Sequence, residues 1–326
     1  MSTANVVPET WQLTGDDAKD TLAATDRSKL MRDAITRLRF ADGFSHARSM
    51  GFLTILVFVQ GVIGAVGIAS ALGTGTLSKT IVQVLQSLSP GPSGRVLTEA
   101  VGQAHQAGSS GQWVAIAIGT VGALITGTTL MGQVERGLNR LYGVETDRPT
   151  VAKYGHAFVL TITAGLLMAV AFVGLSMGSA IAATIGGSAA RTIWNVLRWP
   201  IGIGLLVAGT ALIFRYAPRR HQPAWSWLSF GAIISVALLA LVTIAMNLFF
   251  SFSASFGDTY GPLAGLVALA FWGFFSSIAL LTGAAFAAQL EAVRAGESEP
   301  RSIQKVERSE PGRVDPLRMA VVEPSS

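Results

Sequence analysis

The stretch 157–190, AFVLTITAGLLMAVAFVGLSMGSAIAATIGGSAA, runs between Lys153 and Arg191 without a single Asp, Glu, Lys or Arg. A helix crosses a hydrocarbon core of about 30 Å with about 20 apolar residues, and one central charge costs about 2.5–3.5 kcal/mol on insertion scales. The stretch therefore reads as a membrane span at 157–179, with Gly186-Gly187 breaking the loop that follows. Working outward, the other charge-poor intervals place spans at about 50–72, 113–131, 199–214, 230–250 and 263–290. The span at 199–214 is short, so the flanking Arg198 and Arg215 are expected to snorkel toward headgroups. Barrel strands alternate apolar and polar residues, and these segments do not. The fold class is all-α: a polytopic membrane protein of six transmembrane helices.

Composition agrees. Charged residues make up 13% of the 326 and hydrophobic ones 50%, with a mean hydropathy of +0.50, where an ordinary soluble chain carries about 25% charge. The net charge of +5 does not point to nucleic acid, because the basic residues sit at the edges of apolar segments and build no face interleaved with aromatics. No cleavable leader is read in 1–46, so the first span is expected to remain as an anchor. Lys and Arg set the orientation. With both termini inside, twenty of the 24 lie on the cytoplasmic side and four outside. The expected location is the inner (plasma) membrane, multi-pass, with both termini cytoplasmic.

Three parts follow: a cytoplasmic segment 1–46, a transmembrane domain 47–292, and a tail 293–326 without periodicity, expected to be disordered. In the first part Asp26 caps a helix through about Arg39, with Leu30, Ala34, Ile35 and Leu38 on one face. Arg27, Lys29, Arg32, Arg37 and Arg39 fill much of the remainder. This is either an in-plane helix drawn to anionic lipid or an ordinary cytoplasmic helix. Between the first two spans, Leu77, Ile81, Leu85 and Leu88 recur at helical spacing. Pro90-Gly91-Pro92 then turns the chain into a second piece from about Arg95 to His105. An outer helical hairpin over about 73–111 is expected, lying on the membrane or covering the helix ends.

The chain lacks Cys, and His46, His105, His156 and His221 have no second ligand at helical spacing, so no metal site, cofactor site or catalytic residue is assigned. Nucleophile-elbow, Walker and dinucleotide motifs are missing. Gly174 and Gly178 form a GxxxG that serves packing within the chain or a seam between copies. The central polar groups are few. Gln60, Asn247 and Thr282 are the candidate path residues, because an unpartnered amide or hydroxyl must turn away from lipid tails. Gln60 has an equally simple role as an interhelical hydrogen-bond partner. Asn139, Arg140, Arg215 and Arg219 are the candidate lipid-contacting residues at the inner rim, where Arg binds a phosphate or a helix C-terminus. Asn139 and Arg140 are read as lying in an ordered element over about 135–154, one or two turns beyond the second span.

Asp42-Gly43-Phe44-Ser45-His46-Ala47-Arg48, Gly137-Leu138-Asn139-Arg140-Leu141-Tyr142-Gly143-Val144-Glu145 and Phe214-Arg215-Tyr216-Ala217-Pro218 occur in this order. Tyr260-Gly261-Pro262-Leu263-Ala264-Gly265, Trp272 and Gly283-Ala284 follow them. Together, over about 42–291, they resemble the actinobacterial form of the YihY/BrkB family. The resemblance implies a six-helix inner-membrane protein linked to envelope integrity that moves a lipid or other amphipathic envelope component. The chain departs from the pattern at Ala285 and Ala287, where the family carries Glu and Asn, and at Gln60, where it commonly has Pro. An old label for such proteins is ribonuclease BN, and metal-assisted RNA hydrolysis needs a His/Asp cluster that this sequence does not offer. The expected partners are membrane lipids, with a second copy or envelope proteins besides, and no nucleic acid. The competing reading is a non-transporting scaffold that docks proteins through its basic termini.

The charge distribution makes a direct prediction. In this cysteine-free chain, single cysteines placed at Gly73, Asp147 and Ala254 will be labelled from outside, inside and outside respectively. Labelling of position 147 from the outer side of intact cells would refute the topology.

Overall fold

The computed structural model describes residues 3–10, 12–71, 108–176, 187–252 and 262–302. They form eight helices in chain order: α1 (Gly15–Ala24), α2 (Arg27–Phe40), α3 (Gly43–Ala71), α4 (Gly108–Leu141), α5 (Thr150–Ser176), α6 (Ser188–Tyr216), α7 (Trp225–Phe252) and α8 (Pro262–Arg294). No strand occurs among the described residues, only an isolated antiparallel bridge between Ala4 and Arg301. The helices α3 to α8 are long and apolar enough to cross a membrane, six in all. The hairpin expected over about 73–111 falls almost wholly on 72–107, outside the described residues.

The six expected spans coincide with these helices, but the helices are longer. At 1.5 Å per residue, the 29 residues of α6 reach about 43 Å, beyond a hydrocarbon core of about 30 Å. The fourth span is therefore not short. Arg198, expected at its end, lies a third of the way along α6, with its guanidinium 5.6 Å from the Trp199 ring centroid. Pro200 is inside the same helix, and Gly187, with φ of 90°, is its N-cap at the break expected there. Likewise α4 continues to Leu141 rather than ending near 131, so Asn139 and Arg140 belong to its last turn and not to a following loop. Charge alone ended the span too early, because a helix carries charged residues once it has left the hydrocarbon.

The spans pack in a ring. Each of α3 to α7 contacts the next in sequence, α8 closes on α3, and a smaller contact joins α8 to α4. Close approach depends on glycine. A Cβ on Gly231 of α7 would lie 2.5 Å from the Gly283 carbonyl oxygen of α8, and one on Gly51 of α3 would lie 2.9 Å from the Phe274 backbone. These are small-residue contacts of the kind that hold helices together where no hydrophobic drive exists between them.

Burial is concentrated at one end of the ring, the end carrying the described terminal segments, called here the terminal face. The main core collects Met50 from the start of α3, Leu138 from the end of α4 and Leu160 from the start of α5. It adds Phe214, Leu228 and Leu281 from the corresponding ends of α6, α7 and α8. Toward the opposite face, α6 has no buried residue over 188–201, and α5 beyond Ala164 buries only Ala171 among the residues described. Outside the membrane helices, α2 lays Leu30, Ala34 and Leu38 against α8 and the core, while Ile35 is 43% exposed. This apolar face is covered by protein, not left open for lipid. The first tail residues are placed too: Asn5 donates its backbone N–H to Pro300 O at 3.1 Å, and Ser302 to Thr3 O at 2.9 Å.

Gly283→Val drives a side chain into the α7 backbone. Overpacking of this kind costs about 1–3 kcal/mol or more, and it will lower the unfolding temperature of the purified protein in detergent. Gly165, with nothing within 4 Å of its Cβ position, is the control: Gly165→Ala will be neutral or slightly stabilising. Equal effects of the two substitutions would refute the packing.

Candidate functional site

Where α4 leaves the bundle, its last turn and the connection 142–149 tie four elements together. Asp147 accepts from Asn139 Nδ2 at 3.1 Å, from Arg136 Nε at 3.2 Å and from Lys153 Nζ at 3.4 Å. Partial burial pushes its carboxyl up, but the hydrogen bond from Asn139 and the charges of Lys153 and Arg136 outweigh this and hold it below the usual carboxylate range. The Asn139 side-chain oxygen accepts the Arg219 backbone N–H at 2.8 Å, and Arg219 Nη1 returns to Asp147 O at 2.8 Å. Arg148 pairs with buried Glu135 at 3.1 Å and donates to Ala217 O at 2.7 Å and Pro218 O at 3.0 Å, closing the end of α6. Gly143 turns the chain with φ of 75°. A Cβ there would lie 2.7 Å from Asn5 O, where the N-terminal segment crosses.

Beneath that segment lies a second, fully buried polar group. Arg37 of α2 donates through Nε to Gln289 Oε1 at 2.7 Å and through Nη1 to Asn5 O at 2.9 Å and Leu141 O at 3.1 Å. Arg220 forms a bidentate pair with Glu291, Nη2 to Oε1 at 2.7 Å and Nη1 to Oε2 at 3.0 Å, and donates to Pro8 O at 2.9 Å. Its guanidinium sits 4.4 Å from the Tyr142 ring centroid, and the Thr10 hydroxyl donates to Glu291. Burial, with Tyr142 and Glu291 partly compensating, pulls Arg37 down to about 10, and burial pushes the Tyr142 hydroxyl well above its ordinary value. Arg220 thus takes the carboxylate, while Arg37 is held by an amide oxygen and two backbone carbonyls.

The residues expected from the sequence fall into two sets. At the rim, Asn139 and Arg219 meet directly. Arg140 donates to Val144 O at 2.8 Å and Glu145 O at 2.6 Å, and Arg215 to Pro223 O at 2.9 Å beneath the Trp225 ring. All four are engaged with the protein itself. Inside the membrane, Gln60 lies against α4, where a Cβ on Gly122 would be 3.0 Å from its Cδ, and its Oε1 is buried with no hydrogen-bond partner. Asn247 is exposed on α7 and donates to Thr243 O at 2.9 Å, and Thr282 bonds to Ile278 O at 2.7 Å within α8. No hydrogen bond joins these three among the described residues. Ala285 and Ala287, at the positions where the family pattern has Glu and Asn, are 0% and 2% exposed in the helix-packing core.

The sequence reading missed Arg37, Arg148, Arg220, Gln289 and Glu291. For Arg37 a signal existed. Position 37 shares a helix face with Leu30, Ala34 and Leu38, so its guanidinium was bound to enter the apolar side. The other four join segments far apart in the chain, and no local pattern announces such a meeting.

Compared with known proteins, residues 34–308 match the family model described as Virulence factor BrkB. The chain belongs to the BrkB family. Among curated BrkB-like relatives, a "putative ribonuclease-like protein YfkH" of Bacillus subtilis is 21% identical over 258 residues, 78% of this chain and 92% of that protein. The "UPF0761 membrane protein Rru_A2625" of Rhodospirillum rubrum is 27% identical over 56% of this chain and 43% of its own length. A further UPF0761 membrane protein, IL2447 of Idiomarina loihiensis, is 24% identical over 57% of this chain and 65% of its own. No solved structure matches. With six membrane-length helices, this BrkB-family chain is a multi-pass membrane protein.

The buried pair sets a test. Removing one partner strands the other charge, so Arg220→Ala or Glu291→Ala will destabilise the protein by about 3–5 kcal/mol. The double replacement Arg220→Ala with Glu291→Ala will cost clearly less than the two singles combined. Additive losses in a double-mutant cycle, read from unfolding in detergent, would show that the two side chains do not depend on each other.

Proposed function

We propose that this BrkB-family protein sits in the inner membrane with both termini in the cytoplasm and handles a lipid-like, amphipathic envelope component in support of envelope integrity. The observation that carries the reading is the uneven burial. The helices are sealed against each other at the terminal face, while the opposite parts of α5, α6 and α7 bury little within the chain. Helices packed tightly at one end, with little burial over the described parts of α5, α6 and α7 toward the other, leave flanks that amphipathic molecules reach from the membrane. Among the described residues the bundle carries no central Asp or Glu: Ala285 fills the core position where the family pattern has Glu. Such an interior suits an amphipathic cargo better than proton-driven ion exchange.

The scaffold reading draws its support from the rim. Arg140, Arg148, Arg215 and Arg219 bind backbone carbonyls of the protein, which makes the terminal face a rigid platform for docking. Ribonuclease chemistry, the word in the name of the B. subtilis relative, is not part of either reading. Among the described residues no three His, Cys, Asp or Glu side chains group where they would hold a metal ion.

Reconstitution decides between transport and docking. Vesicles containing the purified protein will redistribute a fluorescent phospholipid between leaflets faster than protein-free vesicles, and the same preparation will leave RNA intact. A redistribution rate equal to that of empty vesicles would remove the transport reading, and RNA cleavage that follows the protein peak would overturn its non-enzymatic part.

A further inference from the structure

A groove of about 470 Å³ runs between α4 and α5. Its floor along α4 is Val121, Ile125 and Thr129, and its wall from α5 is Tyr154 and Phe158. Val121 is 54% exposed, Ile125 64%, Tyr154 44% and Phe158 43%. The two threonine hydroxyls that border it bond within their own helix, Thr128 to Leu124 O at 2.7 Å and Thr129 to Ile125 O at 3.0 Å. Apart from the Tyr154 hydroxyl the lining is apolar, a wall suited to a hydrocarbon chain.

The charge lies at one end. Val121, Ile125, Thr129, Gly132 and Arg136 follow each other at intervals of three or four, so they share one face of α4. Tyr154 packs beside that line, with its Cε1 3.5 Å from where a Cβ on Gly132 would sit. Arg136 has a side chain 45% exposed and is oriented by its Nε bond to Asp147 at 3.2 Å. That carboxylate is held at the same time by Lys153 and Asn139. Both Nη groups of Arg136 are without a partner among the described residues, and two cations against one carboxylate leave the spot positive. At 1.5 Å per residue, Arg136 stands about 22 Å from Val121 along the helix. That is half of a bilayer of about 40–45 Å including its headgroup layers.

We propose that this groove is a binding site for one anionic phospholipid, its acyl chain lying along Val121, Ile125 and Thr129 and its phosphate accepting from the Nη groups of Arg136. Arg suits the role because its planar fork meets phosphate oxygens with two parallel donors. The site rests on the lipid-handling reading above for its choice of ligand class, but binding here requires no transport.

The test uses the full chain in detergent and measures retained lipid by native mass spectrometry. The probes are phosphatidylglycerol and phosphatidylcholine of identical acyl chains, with glycerol phosphate as a chain-free competitor. Phosphatidylglycerol is expected to be retained roughly tenfold better than phosphatidylcholine: both offer a phosphate to Arg136, but choline cancels the negative charge that the positive Arg136–Lys153 spot attracts. Arg136→Gln will make the two lipids equal, Thr129→Trp will reduce both, and glycerol phosphate will not compete. A photoreactive diazirine in the acyl chain of phosphatidylglycerol will label residues 121–129 and 154–158 of the unaltered protein, which keeps the test valid if a variant misfolds. An unchanged lipid ratio in Arg136→Gln overturns the proposal, as do labelling confined to other helices, competition by glycerol phosphate, and a dimer in which a second copy covers the groove. Failed lipid redistribution with intact binding would remove the transport reading and leave this site standing.

Discussion

The last carbonyls of a helix have no partner inside it, and at the terminal face of this bundle they fall where protein has replaced water. Arginine resolves the conflict. Arg148 closes the end of α6 through Ala217 and Pro218, and Arg37 and Arg140 do the same for α4 and the turn after it. A guanidinium is suited to this work because it remains charged, carries five donors and complements the negative end of the helix dipole. The rest of the structure follows from these closures. They bind α2, the N-terminal segment, the 142–149 connection and the end of α8 into one cap, and the helices are packed most tightly beneath it.

This changes what the basic residues of the rim mean. The excess of Lys and Arg on one side is a topological signal, and such residues are readily imagined as reaching into the headgroups. Here several of them turn inward while others, such as Arg27, Lys29 and Arg32, stay exposed. Arg220 and Glu291 have side chains only 1% exposed, and Arg37 is fully buried. Arg136 differs, held by one nitrogen and open on the other two. A single exposed guanidinium above an apolar groove is a more specific feature than a generally basic rim.

Within the membrane the bundle relies on small residues rather than polar ones. Gly231 and Gly283 bring α7 and α8 into backbone contact, Ala287 packs at the same crossing, and Ala285 lies in the main core. Without a carboxylate at 285, that position adds no charge that would need a counter-ion or a water. Among the described residues a few buried polar atoms have no partner, and one of them, the Oε1 of Gln60, lies against Gly122 at the crossing of α3 and α4.

The sequence by itself determined the number and approximate place of the membrane helices. Spanning a bilayer is a local requirement that each segment meets with its own apolar residues and its own backbone hydrogen bonds. The same locality made the BrkB motifs legible, because each is a short run of neighbouring residues. The helix ends were less legible, since at 131 and 199 the charges that bounded the expected spans, Glu135 and Arg198, lie inside continuing helices. Only the tertiary structure decided that Arg37 turns into the core, that Arg220 meets Glu291 across 71 residues, and that Asn139 reaches Arg219. It also decided that Asn247 and Thr282 satisfy themselves within their own helices. Which partner a polar side chain finds depends on which segments the fold brings within about 3 Å of it, and no pattern confined to one segment contains that information.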